Sequence, residues 1–85
     1  MTEKVRHFLD VLKRDWKVQG LRGVKPAAIV TPDFGIKDGS RRCGMKVYVS
    51  MEAPPGTAYV LGEVEAREII DREHLRRSMR EAGFA

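Results

Sequence analysis

His7, His74 and Cys43 are the side chains of this 85-residue chain best suited to acid–base, nucleophilic or metal chemistry. Their spacing joins none of them into a set. His7 falls on the polar side of an N-terminal helical pattern, His74 sits near the start of a C-terminal one, and Cys43 lies far from both. No spacing among His, Cys, Asp and Glu matches a metal site. In the strand register set out below Cys43 points inward, where a free cysteine behaves as a small hydrophobe. Gly35, Gly39 and Gly44 lack the strand–loop–helix context of a phosphate-binding loop. Asp33-Phe34-Gly35 repeats a kinase tripeptide in a chain too short to house that fold. The expectation is a non-enzymatic protein with no metal, no cofactor and no small-molecule substrate.

The cations are better organised. Net charge is +4, with 11 Lys and Arg against 5 Asp and Glu in residues 1–50, and 5 against 7 in residues 51–85. The first half is therefore +6 and the second −2. The excess gathers at Lys13, Arg14, Lys17, Arg22 and Lys25, and again at Lys37, Arg41, Arg42 and Lys46. Such a surface attracts polyanions, because neutralising phosphates releases their counterions. Trp16 is interleaved with basics, but it also completes an apolar helical stripe, so core packing accounts for it. On the last helix Arg72, Arg76 and Arg80 form an i, i+4, i+8 ridge beside Leu75 and Met79. Guanidiniums there suit phosphate or carboxylate partners, and also the negative end of the helix dipole.

These side chains have to be positioned by an α+β domain of order α-β-β-β-α. Val5, Phe8, Leu9, Leu12 and Trp16 recur at helical spacing, with Thr2 as N-cap and Gly20 as the C-terminal stop. Asp38-Gly39 predicts a hairpin turn over 37–40, setting Phe34 opposite Cys43, Val30 opposite Val47 and Ala28 opposite Val49. A second turn at Pro54-Pro55-Gly56-Thr57 sets Met51 opposite Val60 and Val47 opposite Val64. Both turns choose the same apolar face of the middle strand. The prolines, Pro26 and Pro32, place the first strand at an edge. A single helix from 62 to 82 would split its apolar residues between two faces. The pattern therefore reads as a strand to Ile69, then a helix from Arg72 to Ala82 capped by Asp71 and stopped by Gly83. The result is a three-stranded antiparallel meander with both helices packed on one face.

That arrangement leaves Ile29, Tyr48 and Leu61 side by side on an open sheet face, ringed by cations. Two functions stay open. Nucleic acid would be held by Lys37, Arg41, Arg42 and Lys46 on phosphates, with Tyr48 stacking on bases. Alternatively Ile29, Tyr48 and Leu61, with Arg76 and Arg80, would form an interface to a protein partner or to a second copy of the chain.

Length and patterning bound the rest. Residues 1–85 read as one domain without repeats or linkers, able to bury roughly 60% of its surface. No apolar run approaches the roughly 20 residues of a membrane helix. The amphipathic N-terminus does not read as a signal peptide, and a single cysteine suits a reducing cytoplasm.

Overall fold

The computed structural model describes residues 3–18 and 24–83, with only the backbone given for 17 and 18. The expected caps at Thr2 and Gly20 lie outside that range. The chain is α+β: helix α1 (Glu3–Val18), strand β1 (Pro26–Val30), a 3₁₀ turn (Pro32–Phe34), strands β2 (Arg41–Arg42), β3 (Met45–Val49) and β4 (Ala58–Gly62), and helix α2 (Glu63–Glu81). The sheet is mixed and four-stranded, in the order β2-β3-β1-β4. It replaces the expected antiparallel meander. β1 runs parallel to β3, with Ala27 beside Lys46 and Val30 beside Val49. It runs antiparallel to β4, with Ala28 opposite Val60.

The difference begins at one turn. Cys43 and Gly44 have φ of 55° and 71°, so both central residues of the Arg42–Met45 reversal are left-handed, as a type I′ hairpin requires. At the expected turn only Gly39 has positive φ, and Lys37–Ser40 makes a local bend closed by Ser40 N–H donating to Lys37 O at 3.1 Å. The chain therefore travels back along residues 31–42 before reversing, and β3 returns between β2 and β1. A connection of a dozen or more residues is what a parallel pair needs.

β1 thus lies in the sheet interior although Pro26 opens it. Thr31 N–H donates to Thr57 O and Glu63 N–H to Lys25 O, which fixes the bonded pairs of the β1–β4 ladder. Alternation makes Pro26/Gly62, Ala28/Val60 and Val30/Ala58 the non-bonded pairs. Pro26 needs no N–H toward β4, and on its other side the register with β3 begins only at Ala27. Pro32 lies beyond the strand, at the start of the 3₁₀ turn.

The helices cover opposite faces of the sheet, not one. Leu9 of α1 joins Ala28, Val30, Ile36, Met45 and Val47 in one core, with Val5, Leu12, Cys43 and Val60 at its margin. Ala66 and Ile70 of α2 join Ala27, Ile29 and Tyr48 in the other. α2 is the long helix that the split apolar pattern argued against. It begins at Glu63, after Gly62 in extended conformation, and Glu63 and Glu65 complement the dipole of its first turn. Asp71, expected as a cap, is mid-helix and pairs with Arg67 at 4.0 Å. The conflict between its two apolar sets is resolved by leaving one in solvent: Val64 is 73% exposed and Leu75 60%. Gly83 does end the helix at positive φ, its N–H donating to Arg80 O.

Candidate functional site

Residues 37–46 hold four cations, Lys37, Arg41, Arg42 and Lys46, against one carboxylate, Asp38. All four lie along the β2 side of the sheet. Arg41 stands directly opposite Lys46, and Arg42 opposite Met45, so the two arginines serve different faces of the edge. Gly39 N–H donates to Val47 O and Val47 N–H to Ser40 O, which ties the stretch before β2 to β3 as well. Asp38 spends its Oδ1 on the Val49 backbone N–H at 2.9 Å. Among the described residues none of the four cations is paired with a carboxylate; Arg42 donates to Arg41 O at 2.8 Å.

The tip of this hairpin is pinned to α1. Lys13 Nζ donates to Cys43 O at 2.7 Å, and Cys43 Sγ lies 3.5 Å from Arg6 O as a weak donor. Lys13 and Arg6 were not grouped with the hairpin by sequence; a Cys-Gly turn facing a helical lysine is the arrangement that brings them in. Burial pushes the Cys43 thiol up, and hydrogen bonding and charge from Asp10 push it further in the same direction. A nucleophilic cysteine needs the opposite shift.

Tyr48 does not join the cations as a stacking platform. It is 9% exposed, packed under α2, with Lys46 Nζ 5.4 Å from its ring centroid. Ile29 is fully buried in the same layer and Leu61 is half-buried beside it. The open face expected around these three residues is therefore closed, because α2 starts at Glu63, nine residues before the expected Arg72, and crosses it.

Arg76 and Arg80 stand apart from that cluster too. Both reach Glu52, Arg76 Nε at 3.2 Å and Arg80 at 2.7 Å from its carboxylate oxygens. The hydrogen bond from Arg76 is the main cause holding the Glu52 carboxyl below its ordinary range, with the charges of Arg76 and Arg80 adding to it. One turn earlier Glu73, only 3% exposed, accepts from Ser50 Oγ at 2.7 Å and from Met51 N–H at 2.6 Å. Glu73, Arg76 and Arg80 thus strap the segment leaving β3 to α2. A glutamate falling on the Ala66–Ile70 stripe was the sequence signal for this strap, since a carboxylate on a buried stripe needs donors.

His7 and His74 are both exposed, on different helices. Among the described residues no group of three or more His, Cys, Asp or Glu could hold a metal ion, and no helix is long and apolar enough to cross a membrane. Comparison with protein-family models, with curated proteins and with solved structures finds no match.

Proposed function

We propose that this chain is a small, basic, non-enzymatic binding protein of a reducing cytoplasm that takes nucleic acid by its phosphates along the β2–β3 hairpin. The observation that carries it is the edge itself: Lys37, Arg41, Arg42 and Lys46 line it, Arg41 and Lys46 on one face and Arg42 on the other, without a carboxylate partner among the described residues. Lys13, held at the hairpin tip, and Arg6 on the same helix extend the positive surface.

Tyr48 has no part in this contact, and the binding has no base-stacking component. Phosphate contacts position a nucleic acid without reading its sequence. Affinity should therefore differ little between sequences, and should fall steeply with salt. Four phosphates neutralised give a slope of about −3.6 in log K against log salt on duplex, from about −0.9 per contact. Fluorescence anisotropy with labelled oligonucleotides, in a salt series, tests this. Replacing Arg41 and Lys46 with alanine should lower the slope by about 1 for each residue removed. No binding at low salt, or an unchanged slope in the double variant, contradicts the proposal.

A further inference from the structure

We infer that the end of α2 is a latched arm: Glu52 and Glu73 clamp it to the connection between β3 and β4, and neutralising those two carboxylates lets it open while the sheet stays folded. The two ends of α2 are held by different forces. Up to Ile70 the attachment is apolar, with Ala66 and Ile70 buried against Ala27, Ile29 and Tyr48. Beyond that point Glu73 is the last buried residue, and every residue from 74 to 83 is exposed. Leu75 and Met79, 60% and 43% exposed, belong to neither core.

Polar contacts take over where apolar burial stops. Glu73 accepts from Ser50 Oγ at 2.7 Å and from the Met51 N–H at 2.6 Å, one donor on each carboxylate oxygen. Ser50 Oγ in turn accepts from the Ala53 N–H at 3.2 Å, which closes the connection around the same carboxylate. Further along the helix Arg76 and Arg80 donate to the two oxygens of Glu52. Among the described residues these are the hydrogen bonds and ion pairs that join residues 73–81 to the rest of the fold.

Such an arm depends on its clamp. Residues 74–81 are fewer than the roughly 12–15 that a helix needs to persist alone in water. Exposed ion pairs contribute little each, so the buried Glu73 is the stronger half of the clamp. Protonated, it would carry a donor of its own toward Ser50 and Met51, which are already donors. Tyr59 of β4 and Arg76 of α2 both sense its charge. Burial pushes the Tyr59 phenol up, and the charges of Glu73 and Glu65 push it further. The hydrogen bond with Glu52 pushes Arg76 up, and the charges of Glu52 and Glu73 add to that. Arg76 thus couples the two carboxylates. Tyr59, Arg76 and Arg80 do not change protonation between neutral pH and acid, so acid acts on the clamp through Glu52 and Glu73. The end of α2 then opens as a local unit of low stability, ahead of the sheet.

The ¹³Cα shifts of α2 in the full chain test this. In a Glu52→Ala/Glu73→Ala protein at neutral pH, the shifts of residues 74–81 should fall toward coil values while those of residues 66–70 stay helical. Alanine favours helix at least as well as glutamate, so propensity alone would tighten the arm instead. Wild type taken to about pH 3, below the unfolded glutamate value of about 4.3, should show the same loss with the strand shifts retained. Arg77→Ala removes an arginine that no carboxylate holds among the described residues, and should leave the arm helical. If the double variant does not fold, Glu52→Ala alone changes an exposed residue and should loosen residues 77–81. A folded variant whose arm keeps its helical shifts overturns the inference. So does an arm that loosens only together with residues 66–70. No readout involves the hairpin or nucleic acid, so this inference and the proposed function fail separately.

Discussion

The two edges of the sheet are opposites. β2 is two residues long, both arginine, and ends in a tight left-handed turn held to α1. β4 is five residues long and wholly uncharged. Charge and brevity at β2 oppose strand addition and suit the polyanion proposed for that edge, while β4 packs toward α1 and ends in the buried Gly62. The chemistry of each edge follows from its sequence; which segments become edges follows from where the chain reverses.

Several substitutions sharpen this contrast. The largest effect is expected beneath the basic edge. Tyr48→Ala removes a ring buried between β3 and α2 and should cost about 3–5 kcal/mol of unfolding free energy in a denaturant melt. The folded fraction should still bind oligonucleotide with unchanged affinity. Selective loss of single-strand binding would restore Tyr48 as a base contact.

Next comes the strap that carries β3 toward α2. Glu73→Ala leaves Ser50 Oγ and the Met51 N–H without their acceptor and should cost about 1–3 kcal/mol. An unchanged melt would show that solvent replaces the carboxylate without loss.

The turn that makes β2 an edge is the third target. Cys43 is an L-residue at φ 55°, and a β-branched side chain tolerates that region poorly. Cys43→Val should destabilise by about 1–3 kcal/mol, whereas Cys43→Asn, suited to the left-handed region, should lose much less. Equal urea midpoints for the two variants would contradict a strained turn.

The smallest effect concerns the exposed Glu52 cluster. Its carboxyl is depressed in the folded state, so its contribution is present above the unfolded glutamate value of about 4.3 and disappears as pH falls through the folded one. Wild type and Glu52→Gln should differ slightly in Tm at neutral pH and converge in acid. A difference that grows on acidification would reverse the sign and rule this pairing out.

How much of this was legible in the sequence depends on the residue. The Leu9–Trp16 stripe of α1 and the stop at Gly83 follow from helical spacing and glycine chemistry. The α+β class follows from the same patterns. β1 was open to misreading because its prolines suggest an edge, yet Ala27-Ala28-Ile29-Val30 is an unbroken apolar run, the mark of a strand buried on both faces. Cys43 gives no local sign of positive φ, and Asp38-Gly39 advertises a hairpin that tertiary pairing overrides. Val64, Leu75 and Met79 made α2 look impossible as one helix only on the assumption that every large apolar side chain is buried. Of the candidate site, the four hairpin cations were readable from clustering alone. Their connection to Lys13 was not, because it depends on α1 packing across the sheet.

The most direct measurement is a ¹H–¹⁵N spectrum recorded while a short oligonucleotide is added at low salt. Amide shifts concentrated in Lys37–Lys46, with Ala58–Gly62 unmoved, are the predicted result. Shifts centred on β4 or on the exposed Leu75–Met79 side of α2, or no shifts at all, would contradict phosphate binding by the hairpin.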